Sequence, residues 1–316
     1  MKDFDHILLI GFGGPTNPGE IRPFLEEVVG GRNVPEERLK EVAYHYEAIG
    51  GSSPYHENVF RLRESLGNRL REAGVYKPLF VGMRNWHPFL AETLREIKKQ
   101  SLKRGLGIIL APHRSEASCK RYKRSVEAAR VEAGALDIEY EYLEPWFDHP
   151  LFIEAQANSI KRILDSIPEE GKGFVHILFT AHSIPVVMNE ACEFCRYEEE
   201  FRTSSTLVAR RLGLEHYSLA YQSRSGRPQE PWLGPDVIEA LRNLPQEKVE
   251  KILVVPIGFL CDHAEVLYDL DIEVRKAAEA RGFQYFRAKT VMSDAKFIQM
   301  LAESIACSLS PKPSFI

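Results

Sequence analysis

The chain of 316 residues predicts an α/β protein of two doubly wound lobes with parallel sheets and a cleft between them. Three observations carry this. Short segments rich in Val, Ile, Leu and Phe alternate with longer amphipathic ones, the order expected of strand–helix units. The apolar segments are near-continuous, which fits strands covered on both faces. They also divide evenly between the two halves of the chain.

The first-half strands read "HILLIGF" (6–12), "KPLFVGM" (77–83), "LGIILAP" (106–112) and "DIEYEYL" (137–143). The second-half strands read "GFVHILFTA" (173–181), "YSLAYQS" (217–223), "KILVVPIGF" (251–259) and "GFQYFRA" (282–288). Patterns such as "RLRESLGNRLREA" and "PFLAETLREIKKQ" supply helices between them. Residues 1–148 then make an N-terminal Rossmann-like lobe, completed by a C-terminal helix at 293–310, and residues 149–292 make the second. Prolines and aromatics in "EPWFDHPLF" (144–152) mark the link. Ligands of open α/β sheets bind beyond the carboxyl ends of the strands. Those ends read "GFGGP", "MRNWHP", "APHRS", "TAHSIP", "YQSRSG" and "PIGFLCDH", so the cleft lies among them.

Composition sets the outer limits. At 44% hydrophobic and 27% charged, the chain is ordinary for a globular protein. Its longest apolar runs fall short of the roughly 20 residues that span a bilayer. Acids precede the first apolar run, which a secretory leader avoids, so a cytoplasmic protein is expected. A net charge of −4 gives no general attraction for nucleic acid. "CKRYKR" (119–124) at helical spacing reads as a solvated face. Five cysteines argue against a disulfide framework. A monomer is the favoured state, and "RPFLEEVVGGRNVPEERL" (22–39) could form a lip over the cleft and touch a membrane periphery.

Several motifs carry chemistry. "LLIGFGGPTNPGE" has Gly11 and Gly13 but neither a third fingerprint glycine nor a Gly-Lys-Ser/Thr ending, so it is a weak nucleotide loop. It remains a turn that lets backbone approach a flat ligand. "FTAHSIP" ends a strand on His182, and the elbow of a serine hydrolase is excluded by Ala181 and Pro185. An imidazole there either braces the strand end or takes protons and metal near pH 7. "EACEFCRYEEE" holds Cys192 and Cys195 with no second pair to complete a zinc or iron–sulfur site. In "YQSRSGRPQEPWLGPDV", Trp232 near Arg224 and Arg227 either packs on an aromatic ligand or pins a surface loop.

"GFLCDHAEVLYDLDIE" (258–273) is the most telling. Its last twelve residues contain five acids and no lysine or arginine. A helix starting near Asp262 would set Asp262, Glu265, Asp269 and Glu273 along one stripe. A capping box and the helix dipole explain the first two. They do not explain Asp269 and Glu273, because like charges at i,i+4 cost roughly 0.2–0.5 kcal/mol per pair. A carboxylate stripe at a ligand-binding edge reads as a path for cations or protons.

Together, "LLIGFGGP", "AIGGSSP", "FVGMRNWHPF", "FTAHSIP", "AYQSRSGRPQEPWLGPDV" and "VPIGFLCDHAEVLYDLD" resemble the ferrochelatase family over nearly the whole chain. The resemblance implies a chelatase-like fold whose cleft holds a porphyrin and an enzyme that inserts ferrous iron into it in haem biosynthesis. His182 matches the family's catalytic histidine and Glu265 the acid opposite it. Asp269 and Glu273 match its acidic ladder for metal or protons. Phe12, Gly13, Pro15, Ser52, Ser53, Arg84, Gln222 and Trp232 match the substrate-contacting positions. Iron enters as substrate and no tightly bound cofactor is implied, a [2Fe–2S] cluster lacking two of its cysteines. Phe12 departs from the tyrosine common where coproporphyrin III is the substrate, whereas "APHRS" resembles that branch. Protoporphyrin IX and coproporphyrin III both stay open at this point. So do a tetrapyrrole chelatase for cobalt or nickel and a non-catalytic haem- or metal-binding protein.

Overall fold

The computed structural model describes residues 4–168, 174–190, 196–225 and 229–309. All eight expected strands form. The first sheet holds β1 (His6–Gly11), β2 (Leu79–Met83), β3 (Arg104–Ile109) and β4 (Glu139–Tyr142) in the order β2-β1-β3-β4. The second holds β5 (Val175–His182), β6 (Tyr217–Gln222), β7 (Lys251–Val255) and β8 (Gln284–Arg287) in the order β6-β5-β7-β8. Every pairing is parallel. In each sheet the chain begins centrally, adds a strand on one side, then crosses to the other. The strand order therefore reverses beside β1 and beside β5, where open α/β sheets leave a crevice for ligands.

Helices α1 (Ile21–Val29), α2 (Glu36–Ala48), α3 (Tyr55–Glu72), α4 (Leu90–Lys99) and α5 (Arg121–Glu132) accompany the first sheet. The second half adds α6 (Pro150–Ser166), α7 (Val186–Glu190), α8 (Tyr197–Leu212), α9 (Val237–Arg242), α10 (Ala264–Leu267), α11 (Arg275–Glu279) and α12 (Ala295–Leu309). Helix α12 lies against both α3 and α6. One apolar core accordingly runs through both lobes, from Leu9 and Ile108 to Phe179 and Leu253. The connecting stretch is part of it. Trp146 is 6% exposed, with its ring centroid 5.2 Å from Phe152 and 5.5 Å from Phe297. The lobes are joined by packed aromatics and not by a loose tether.

The strand read over 251–259 stops at Val255. Pro256 has no N–H to continue the ladder, and the chain turns so that Gly258 donates its N–H to the Thr180 carbonyl at 3.0 Å. A Cβ at Gly258 would lie 2.6 Å from Ala181, so only glycine permits this approach. The turn brings residues 259–265 against the end of β5. Among the described residues no helix is long and apolar enough to cross a membrane. Cys192, Cys195 and Arg227 lie outside the described residues.

Candidate functional site

His182 is the last residue of β5, in register with Gln222 of β6. Its Nδ1 contacts the Ser183 carbonyl, and its Nε2 faces Glu265 Oε1 at 3.4 Å. A hydroxyl from the second lobe fixes the backbone here, for Tyr197 donates to the His182 carbonyl at 2.8 Å. Burial works against an imidazolium, but the Glu265 charge and the Ser183 carbonyl outweigh it and push His182 up to about 9. Burial likewise opposes ionisation of Glu265, and the positive charge of His182 overrides it, holding the carboxyl down to about 2. The pair is an ion pair whose cleft side still meets water, with Glu265 44% exposed.

Besides His182, two residues position Glu265. His263 caps α10, its Nδ1 accepting the Glu265 N–H at 3.2 Å. An accepting Nδ1 leaves the ring proton on Nε2, and burial keeps this imidazole neutral. Its approach of 3.8 Å to Glu265 Oε2 is therefore contact between a carboxylate and a neutral ring. From beneath, Gln222, only 1% exposed, donates to the Glu265 carbonyl.

The helix then widens. The Tyr268 carbonyl accepts N–H groups from both Ile272 and Glu273 at 3.1 Å, and Asp269–Val274 forms a π turn. Ser223, in the left-handed region at φ 61, directs its hydroxyl onto Asp269. Burial raises Asp269 to about 7, with the Glu265 and Glu273 charges adding to it against the Ser223 hydrogen bond. Glu273, nearer the surface, is raised by burial and by the Glu41 and Asp236 charges. Three carboxylates thus run outward from His182. The expected stripe of four is corrected at its start. Asp262 lies before the helix and turns away, to Arg287 at 3.1 Å and to the Thr290 hydroxyl at 2.9 Å. His263, not Asp262, is the cap.

The opposite wall comes from the first lobe. Gly13 has φ 100, and a Cβ on it would meet Trp86 at 3.0 Å, so the turn after β1 needs glycine. The turn is tied down by Tyr55, which accepts the Phe12 N–H at 2.8 Å, and by Pro15, whose carbonyl accepts from Ser53 at 2.8 Å. Ser52 beside it is half-buried. Arg84 lies 4.9 Å over the Tyr122 ring and 6.0 Å from Phe12, and bonds Ser125 at 3.1 Å. Burial lowers its pKa, and Arg121 and Arg32 are near enough to add to this. Phe12, Phe24, Tyr46 and Trp86 meet edge to face. The phenols of Tyr46 and Tyr122 are raised by burial first and then by the Glu265 charge, which places this wall within electrostatic reach of the acid.

The region read as a lip makes α1 and α2, and its continuation crosses to the acidic wall: His45 stacks on Tyr268 at 3.8 Å. Trp232 pairs with Pro185 beside the histidine strand, and its indole bonds Glu230 at 3.2 Å. Of the residues singled out from sequence, Gln222 is enclosed below Glu265 and not on the open wall, and Gly13, Pro15 and Ser53 are buried at the turn on the other side. Sequence reasoning missed His263, Ser223, Tyr197, Tyr122 and Arg287. His263 alone had a local signal, an acceptor side chain two residues before Glu265.

The model of the family described as ferrochelatase matches residues 5–309. The chain belongs to the ferrochelatase family. It is 39% identical to a ferrochelatase of Rhodopirellula baltica over 95% of this chain and 85% of that one. It is also 39% identical to a coproporphyrin III ferrochelatase of Mycobacterium marinum, over 94% and 85% of the two chains. Two solved chelatase structures share the fold. SirB from Bacillus subtilis with Fe3+ superposes with a TM-score of 0.59 at 10% identity, over 98% of this chain and 96% of that. CbiX superposes with a TM-score of 0.54 at 15% identity, over 96% and 100%. As a ferrochelatase, the chain is an enzyme of haem biosynthesis that inserts a metal into a porphyrin.

Proposed function

We propose that this ferrochelatase inserts Fe2+ into coproporphyrin III, with His182 and Glu265 as the groups that meet the metal and the pyrrole protons. The observation that carries the reading is the His182–Glu265 pair, 3.4 Å apart at the reversal point of the second sheet, across from an aromatic and cationic wall. A flat ring suits the half-exposed Phe12 face beside the Gly13 turn, which packs closely on Trp86. Coproporphyrin III carries four carboxylates, and Arg84 with Arg121 and Arg32 supplies guanidiniums that suit them. Relatives named for coproporphyrin III at 35–39% identity favour the same substrate.

Metal insertion requires Fe2+ to shed water and the porphyrin to lose two pyrrole protons. Glu273, Asp269 and Glu265 offer the ion oxygen ligands in succession, hard and weak enough to pass it on. His182 starts as an imidazolium and so must lose its own proton before it can take one. Arrival of a cation at Glu265 removes the negative charge that holds that proton. Asp269, poised to about 7, accepts it, and Glu273 at the surface releases it to water. The neutral His182 then takes the two pyrrole protons one after the other and passes each out by the same route. Iron is cargo in this scheme and no bound cofactor takes part.

The test is anaerobic mixing of purified protein and Fe2+ with coproporphyrin III or protoporphyrin IX in parallel, followed by porphyrin absorption. Preferential conversion of coproporphyrin III supports the reading. Preferential conversion of protoporphyrin IX replaces the substrate, and binding of either porphyrin without conversion removes the reaction.

A further inference from the structure

The five acids of the 262–273 stretch separate into two sets in space. Glu265, Asp269 and Glu273 line the cleft. Asp262 and Asp271 both turn to one guanidinium, that of Arg287 at the end of the edge strand β8. Arg287 Nε and Nη2 hold the two oxygens of Asp271 at 2.7 and 2.9 Å. Its Nη1 and Nη2 hold those of Asp262 at 3.1 Å each. Two further bonds, one from beyond β8 and one from within it, lock the segment: Thr290 to Asp262 at 2.9 Å, and the Tyr285 hydroxyl to the Leu270 carbonyl at 2.8 Å.

The two gripped residues are interleaved with those that face the cleft, Asp262 before Glu265 and Asp271 between Asp269 and Glu273. Asp262 immediately precedes the His263 cap of α10, which carries Glu265, and Asp271 lies within the π turn that begins at Asp269. A π turn is a rare departure from the α-helix and frequently marks functional sites. Outside its own backbone bonds, this turn is held from β8 by Arg287 at Asp271 and by Tyr285 at Leu270. A guanidinium is a planar fork that can bind two carboxylates along separate edges, whereas an ammonium is a point charge without that geometry. At 12% exposure, Arg287 is shielded enough for those bonds to hold a fixed arrangement.

We propose that Arg287 is a positioning residue for metal delivery: by gripping Asp262 and Asp271 it fixes the turn that sets Asp269 and Glu273 in line with Glu265. This rests on the reading that these carboxylates conduct the metal. Arg287 touches neither porphyrin nor reacting atoms, and it acts only through the segment it holds.

The experiment compares R287M, R287K and the triple variant D262N/D271N/R287M, which leaves no unpaired charge in the cluster, with the unaltered enzyme. Fe2+ affinity is measured by anaerobic calorimetry without porphyrin, coproporphyrin III affinity by fluorescence quenching, steady-state KM for each substrate by absorption, and unfolding by thermal melts. R287M is expected to weaken Fe2+ binding and raise the metal KM by about 10- to 100-fold, while porphyrin affinity stays within about twofold. R287K should recover little of this, and the triple variant should recover melting temperature but not metal affinity. The proposal is overturned if Fe2+ affinity is unchanged in R287M, if the triple variant restores it, or if porphyrin and metal affinity fall together. Should R287M not fold, the triple variant and R287K carry the same comparison. Absence of turnover in the unaltered enzyme would remove the reading of the reaction, while the calorimetric comparison would still decide the role of Arg287.

Discussion

The two walls of the cleft are built by different physics. The first-lobe wall is aromatic and cationic, its rings held edge to face and its turn fixed by backbone bonds to Tyr55 and Ser53. Close packing makes it rigid. The second-lobe wall is a chain of titratable groups with separated proton affinities: His182 is raised to about 9 and Asp269 to about 7, while Glu265 between them is held down as the carboxylate of an ion pair. Its order comes from hydrogen bonds and charge pairs. A flat polyanion needs a surface that stays put. A cation and two protons need groups that exchange partners, and so cannot be sealed by apolar packing. On the proposed reading, separating the tasks lets each wall satisfy one demand.

Variants on the two walls should therefore fail differently. The largest effect is expected for H182A, which should lower kcat by about 10³-fold, within the range for a lost acid–base group. Porphyrin affinity measured by fluorescence should hardly move; joint loss of both would erase the division between the walls. On the other wall, R84M should raise the porphyrin KM by about 10- to 100-fold, as for a lost charge-assisted hydrogen bond, with the metal KM unchanged.

D269N sharpens the comparison through pH. Native Asp269 titrates near 7 against an ordinary 3.8, so the folded state binds more protons in that interval. Stability attributable to this group consequently falls as pH rises from 3.8 to about 7. Melts at pH 8 should show D269N more stable than the parent, with the gap closing toward pH 4. Over the same range, the rise of kcat/KM for Fe2+ through pH 7 should disappear in D269N; a retained inflection would assign it to another group. The smallest effect is expected for F12Y, which adds one hydroxyl to a packed wall and should change porphyrin KM by less than about twofold.

Much of this was legible in one dimension. The near-continuous apolar runs announced eight strands, and their carboxyl ends announced the cleft, because strand burial on both faces leaves a local mark. His182 stood out at a strand end and Glu265 in the acidic stretch, and the fold brings them to 3.4 Å. The acidic stretch was read as one helix from Asp262, which local spacing allows. Spacing alone did not reveal that Asp262 has a partner 25 residues ahead, or that the helix opens into a π turn. Gln222 carried a polar side chain to a strand tip, yet whether it faced the cleft or supported Glu265 depended on the turn after β7.

The sequence by itself determined the parallel α/β class, the family and the residue types available to metal and protons, since these follow from periodicity and short motifs. Tertiary structure alone decided how the acids are apportioned. Arg287 takes two of them and leaves Glu265, Asp269 and Glu273 for the cleft. The reason is geometric: a carboxylate's partner is chosen by which strand ends beside it, and β8 reaches Asp262 only after the second sheet is assembled.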